Sequence, residues 1–433
     1  MISDRLAALL QKRGIYYGWV VAGTTFLVML ATAGAMGSAG VLIQPLQKEF
    51  GWTTEQISTA FAVRLVFFGL LGPFAAAFMN HFGLKKVVTA ALVLIGGGVG
   101  LSLLMAQLWQ LMVLWGIVIG VGTGMTALVL GATVASRWFD KRRGLVVGLM
   151  TASNATGQLI FLPLLASLAE NIGWRAALTF VVSILAVAFV LAALFLRDHP
   201  ADLGLPVYGK TAVTPAPKQS RKLIELLTLP LTTLREASKT NVFWVLFATF
   251  FVCGFSTNGL IQQHWISICG DVGITPTGAA GYLALIGAFD FVGTILSGWL
   301  SDRYDNRYLL LAYYGFRGLS LLYLPFSGFS LWTLTAFAVL YGLDWVATVP
   351  PTVKLTAQRF GPEKAGLVFG WVFAGHQLGA ASAAFFAGAV RTGTDSYMPA
   401  IFLAGTFCLL AALLILTISK PARPAVVAGA AAA

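Results

Sequence analysis

Twelve apolar stretches, each close to the roughly 20 residues that a helix needs to cross a bilayer, follow one another along this 433-residue chain. They run near 17–41, 58–79, 87–107, 110–135, 144–168, 176–196, 242–267, 278–300, 308–327, 331–356, 366–389 and 397–418, and are numbered spans 1 to 12 in that order. Only 10% of the residues are charged and 58% are apolar or aromatic, against about a quarter and about a half in soluble domains. So few charges cannot cover a water-facing surface of this size. Cys253, Cys269 and Cys408 form neither a disulfide framework nor a metal-binding spacing. Arg5, Lys12 and Arg13 before span 1 imitate a signal peptide, but the apolar run is too long for a cleaved leader and is expected to stay as a signal-anchor. The expected fold is an all-α membrane protein of twelve transmembrane helices.

Lysines and arginines sort by side. Of the 28, 22 fall in the N-terminus, the loops after spans 2, 4, 8 and 10, the connection after span 6, and the C-terminus. Lys48, Arg175 and Arg391 occupy the opposite loops, and Arg64, Arg317 and Lys354 lie within spans. Basic loops stay inside, so both termini are expected in the cytoplasm. The net charge of +12 then faces anionic headgroups, not nucleic acid. The chain reads as a multi-pass protein of a bacterial cytoplasmic membrane, with the bilayer as its surroundings and no nucleic-acid partner.

The chain also repeats itself. Gly144-Leu-Val-Val-Gly148, followed by Gly157, recurs as Gly366-Leu-Val-Phe-Gly370, followed by Gly379, at an offset of 222 residues. Arg137 and Arg359 share that offset, as do Asn80-His81 and Asp302-Arg303. Two parallel six-helix repeats place a substrate cavity between the halves, near mid-membrane. The expected organisation is a bundle at 1–196, a cytoplasmic linker at 197–241, a second bundle at 242–420 and a disordered alanine-rich tail at 421–433.

At these residues the chain resembles the major facilitator superfamily over about 400 residues. Gly298-Trp-Leu-Ser-Asp302-Arg303-Tyr-Asp-Asn-Arg307 is similar to its signature loop, and Asn80-His81-Phe82-Gly83-Leu84-Lys85-Lys86 is a degraded copy with Asn for Asp and His for Arg. The resemblance implies that Asp302, Arg303 and Arg307 form a conformational latch. Trp138-Phe139-Asp140-Lys141-Arg142-Arg143-Gly144, running on to Gly148, resembles the helix-5 entry motif of the monocarboxylate porters. Tyr17-Gly18-Trp19 is similar to their helix-1 motif, without its acidic residue, and the oxalate–formate antiporters show related features. In those relatives an arginine one turn after the span-8 aspartate clamps the carboxylate. Here Thr294 stands at that position, so the anion's counter-charge must lie elsewhere.

An ion at bilayer depth is costly and generally faces a cavity or a partner. Asp290 and Arg317 both lie about ten residues, roughly 15 Å, from the basic ends of spans 8 and 9, which predicts a structural ion pair. Asp290 also belongs to the stripe Gly287, Asp290, Thr294, Ser297 at i+3/i+4 spacing and is a candidate proton site. Asp344, on the stripe Tyr341, Asp344, Thr348, Thr352 of span 10, is the first choice for proton coupling. Arg64, near the symmetry mate of the span-8 site, is the leading candidate for the substrate, because a guanidinium suits a carboxylate bidentately. Asn258, Gln262, Tyr341, Lys354 and His376 complete the expected substrate-binding set. His264 and His376 read equally well as hydrogen-bonded packing residues.

The glycine runs at 96–98 and 120–124 are not nucleotide loops, since no strand precedes them and no Lys-Ser/Thr follows. The Asn154-Ala-Thr156 sequon lies inside span 5. No Ser/His/Asp set can be composed from the four histidines, so neither an enzyme nor a cofactor is expected. The reading is a transporter of a small, monocarboxylate-like organic anion, exchanged or co-transported with protons by alternating access. The alternative is an efflux pump for apolar or cationic compounds. Antiporters of that type carry a Gly-Pro motif in helix 5, and Gly148 to Gly157 lacks the proline. A sensor without net transport finds no appended signalling domain to support it.

Overall fold

A computed structural model describes residues 2–126, 128–213 and 223–419. The tail expected to be disordered, 421–433, lies outside them. The described chain is built on helices α1 (Gly18–Phe50), α2 (Thr54–Phe82), α3 (Leu84–Ser102), α4 (Leu108–Trp138), α5 (Arg143–Asn171), α6 (Trp174–Phe195), α7 (Asn241–Asp271), α8 (Pro276–Arg303), α9 (Asn306–Phe326), α10 (Leu331–Phe360), α11 (Pro362–Thr394) and α12 (Met398–Thr417). Ten of them are long and apolar enough to cross a membrane by length and composition. Two shorter helices, Ile2–Lys12 and Leu223–Ala237, lie outside the apolar stretches, in the N-terminal segment and the connection after span 6.

Several helices overrun their apolar stretches, because a helix continues until its caps end it. α1 extends past its apolar run through Gln47 and Lys48 to Gly51, whose φ of 69° terminates the helix in the left-handed region. α2 opens with a capping box: Thr53 accepts the Gln56 N–H and the Gln56 side chain accepts the Thr53 N–H. The 222-residue repeat recurs in the boundaries. Leu84 and Asn306 start α3 and α9, and Trp138 and Phe360 end α4 and α10.

Equivalent helices pack equivalently: α1 on α5 and α7 on α11, α3 on α6 and α9 on α12. Among the described residues the halves meet through α2 against α11, through α5 against α8 and, more narrowly, through α1 against the end of α7. At the end opposite the basic loops, Glu170 of α5 accepts the Thr277 N–H (3.2 Å) and hydroxyl (2.7 Å) of α8. There too the Glu55 N–H of α2 donates to the Thr392 hydroxyl of α11 (3.1 Å). At the basic end, the helix Leu223–Ala237 lies against both α2 and α11. Trp371 Nε1 donates to the Pro230 carbonyl (2.8 Å) and Lys364 pairs with Glu236 (2.5 Å), which holds the Glu236 carboxyl below the usual carboxylate range.

Gly157 and Gly379 show what the repeated glycines do. A Cβ on Gly157 would lie 2.7 Å from Ala33 Cβ on α1, and one on Gly379 would lie 1.9 Å from the Phe251 carbonyl on α7. Small residues let helix backbones approach this closely. Gly379→Leu is therefore expected to force α7 and α11 apart, at a cost of about 3 kcal/mol or more, and to abolish the monodisperse peak in size-exclusion chromatography. Gly366→Ala, where nothing lies within 4 Å of the added Cβ, should behave as wild type.

Candidate functional site

α10 is not one continuous helix. It runs as Leu331–Asp344, breaks, and resumes as Val349–Phe360 with Pro350-Pro351 in its first turn. Proline denies the helix its N–H donors, and irregular backbone at membrane depth must be satisfied by neighbouring side chains. The polar stripe of α8 and the arginine of α9 supply those partners. Asp290 Oδ1 accepts the Val346 N–H (2.9 Å) and the Thr294 hydroxyl (3.0 Å), and the Ser297 hydroxyl donates to the Ala347 carbonyl (2.5 Å). Arg317 Nη2 donates to the carbonyls of Asp344 (2.5 Å) and Trp345 (3.2 Å).

The expected Asp290–Arg317 pair is replaced by a different one. Arg317 Nε binds Asp344 Oδ2 at 2.7 Å, both side chains being buried, and Arg317 Nη1 reaches Cys253 Sγ at 3.0 Å. Asp290 and Arg317 do converge from adjacent helices at one depth, but their common target is the break in α10. Asp290 caps its exposed N–H, Arg317 caps its carbonyls, and Asp344 at the break itself takes the guanidinium. Sequence spacing gave the depth of the two charges; it did not show that a broken helix lay between them.

Arg64 has the opposite surroundings. It is fully buried in the eleventh position of α2, with its guanidinium 5.6 Å from the Phe61 ring and 5.8 Å from the Trp115 ring of α4. Nη1 donates to the Met36 carbonyl of α1 (3.2 Å). Nε and Nη2 have no hydrogen-bond partner, and no carboxylate pairs with Arg64, among the described residues. Those two nitrogens form one edge of the guanidinium, the fork that donates to both oxygens of a carboxylate.

The other expected residues divide. Asn258 lies half-buried in a π-helical stretch of α7, Phe255–Ile261, and half-buried Gln262 follows directly. The Tyr341 hydroxyl donates to the Ser256 carbonyl in that stretch (2.9 Å), so it braces α7. Lys354 is corrected as a substrate contact: its ammonium binds the Ser301 carbonyl and Asp302, each at 2.8 Å, at the basic end. In the latch loop, Arg303 lies over the Trp299 ring (3.9 Å), while Arg307 pairs with Asp305 (2.6 Å) and reaches the Ile418 carbonyl (2.8 Å). His376 stacks on Phe373 (5.6 Å) and contacts Phe250 (5.1 Å). Its ring partners belong to the second bundle, and Phe373 in turn meets Phe68 of α2 (6.0 Å), whereas the Arg64 guanidinium faces α1 and α4 of the first. His264 Nε2 sits 2.9 Å from the Ala384 carbonyl, a packing role. Trp115 and Cys253 were not anticipated; both are apolar in a hydropathy reading and betray themselves only through the charges that they touch.

Two parallel repeats of six helices, meeting through α2–α11, α5–α8 and α1–α7, with buried charges in each half, are the architecture of a membrane transporter. The chain belongs to the Major Facilitator Superfamily, whose sequence model matches residues 24–384 and again 265–432. It is 24% identical to the MFS-type transporter YcxA of Bacillus subtilis, over 88% of this chain and 90% of that one. It is 25% identical to monocarboxylate transporter 13 of Rattus norvegicus (93% and 89%) and 27% identical to human monocarboxylate transporter 11 (91% and 81%). Among solved structures it matches the xylose transporter XylE of E. coli with a TM-score of 0.69, at 15% identity, over 93% of this chain and 100% of that one. A bacterial homologue of the lysosomal transporter Spinster matches with a TM-score of 0.68, also at 15% identity, over 94% and 99%. The protein is a multi-pass membrane transporter and not an enzyme.

Proposed function

We propose that the chain moves a small monocarboxylate-like anion across the membrane by alternating access, coupled to protons, with Arg64 as the anion's counter-charge. The observation that carries this reading is the Nε–Nη2 edge of a fully buried guanidinium, which has no partner among the described residues. A buried charge without a partner costs several kcal/mol, and a protein keeps one where a ligand completes it. The relatedness to monocarboxylate transporters agrees in chemistry. The packing of whole helices across the boundary, α2 on α11 and α5 on α8 above all, suits the rocking of one bundle against the other.

The proton carrier follows from the same logic. Asp344 is held by Arg317, and protonating it would leave that guanidinium uncompensated. Asp290 faces neutral donors, the Thr294 hydroxyl and the Val346 N–H, so it can gain a proton without stranding a charge. Asp290, rather than Asp344, is therefore the leading proton carrier. Asp290→Asn keeps an oxygen for both donors; it is expected to preserve anion exchange between the two sides while abolishing accumulation driven by a pH gradient.

Uptake of a radiolabelled short-chain monocarboxylate into proteoliposomes tests the proposal. An inward proton gradient should concentrate the anion several-fold, and a protonophore should collapse the effect. Transport of labelled organic cations with no movement of carboxylates would overturn it in favour of efflux of cationic compounds.

A further inference from the structure

The degraded loop of the first bundle leaves a gap that another part of the chain fills. In the second bundle Asp305 precedes α9, and its Oδ1 accepts the backbone N–H of Arg307 (3.0 Å). This is an N-cap, which satisfies one of the orphan donors of a helix start. The residues 222 positions earlier are Gly83 and Lys85. Gly83 has no side chain to cap with, yet the Lys85 N–H is capped: Asp198 Oδ1, from beyond the end of α6, accepts it at 2.8 Å. A Cβ on Gly83 would lie 2.6 Å from Asp198 Oδ2, so the missing side chain is also the room into which the carboxylate fits.

The second tie of that corner is likewise rebuilt. Asp302 and Lys354, paired at 2.8 Å, correspond to Asn80 and Ala132, which cannot form an ion pair. Instead Arg137 Nη2 donates to Asn80 Oδ1 (2.6 Å) and its Nη1 to the Asp198 carbonyl (3.4 Å). The strand of chain that follows Asp198 is then fastened to the entry of α5. Tyr208 bridges Phe139, its carbonyl accepting the N–H groups of Asp140 (3.0 Å) and Lys141 (3.1 Å) and its N–H donating to the Trp138 carbonyl (3.0 Å). The Tyr16 hydroxyl ties both runs, donating to the carbonyls of Pro206 (2.9 Å) and Trp138 (3.2 Å). The rings of Tyr16, Trp19, Phe139 and Tyr208 pack together at 4.9–6.0 Å. The two motifs that resemble the monocarboxylate porters thus meet on the connection between the bundles.

We infer that residues 198–209 form a strap that replaces the acidic half of the first bundle's latch loop, with Asp198 as a positioning residue that caps α3 from outside its own loop. The strap joins the α2–α3 and α4–α5 corners, so that the basic end of the first bundle moves as one body.

Amide exchange of the purified protein, followed by mass spectrometry, tests this with an internal control. Asp198→Ala should speed exchange at Lys85 about fivefold, the factor an N-cap is worth, and should also speed exchange at Asp140 and Lys141 at the far end of the strap. Arg307, capped by Asp305, should be unchanged. Asp198→Asn, whose amide oxygen still accepts, should retain protection at all three. If Asp198→Ala does not fold, Tyr16→Phe, which removes only a hydroxyl, should release Asp140, Lys141 and Lys85 together. Unchanged exchange at Lys85, release at Lys85 without Asp140 and Lys141, or equal release at Arg307 would overturn the inference.

Discussion

Arg64→Gln is expected to abolish accumulation of the proposed anion in proteoliposomes, while the protein inserts normally and unfolds at or above the wild-type temperature. The two halves of that result come from one fact. Among the described residues the guanidinium has a single hydrogen bond, to the Met36 carbonyl, and no carboxylate partner. Replacing an unpaired buried charge by a neutral amide removes a desolvation cost, so a purely structural role predicts lost stability and a ligand-binding role predicts lost transport alone. Arg64→Lys keeps the charge but loses the fork. Its KM should rise about 10- to 100-fold, the equivalent of one charge-assisted hydrogen bond, with turnover largely retained.

Arg317 and Asp344 behave in the reverse way. Arg317→Gln strands the Asp344 carboxylate and the carbonyls of Asp344 and Trp345 at the break in α10. Asp344→Asn strands the guanidinium. Each single change is expected to cost about 3–5 kcal/mol, as when one partner of a buried pair is removed, and to lower the midpoint of thermal unfolding in detergent sharply. The double variant Arg317→Gln/Asp344→Asn should recover most of that loss, because no charge remains buried alone. Combining Arg317→Gln with Asp290→Asn should give no such recovery. If the Asp290 combination recovers instead, the pairing at the break is misassigned.

The architecture was legible from the chain because each level of it leaves a periodic trace: twelve apolar runs, basic loops on alternate sides, and motifs recurring at 222 residues. The site was legible only in part. Hydropathy finds Arg64, Asp290, Arg317 and Asp344 because charges are rare at depth, and the span order fixes which helices they stand on. It does not fix their partners. Arg317 reaches Asp344 rather than Asp290 because Pro350-Pro351 interrupts α10 and exposes backbone groups that need both signs of charge nearby. Lys354, counted with the site from its place within a span, turns to the latch loop, since a long side chain near a helix end can reach the polar boundary. The capping of α3 by Asp198 is invisible to any local reading, because the residue that completes the motif lies 113 positions along the chain.

Equilibrium binding tests the central claim most directly, because it separates recognition of the anion from coupling and from movement. A labelled short-chain monocarboxylate is titrated onto purified wild-type, Arg64→Gln and Asp290→Asn proteins in detergent, each first shown to be folded. The account predicts saturable binding to wild type and to Asp290→Asn, competed by the unlabelled anion, and no saturable binding to Arg64→Gln. Wild-type affinity in Arg64→Gln would contradict it.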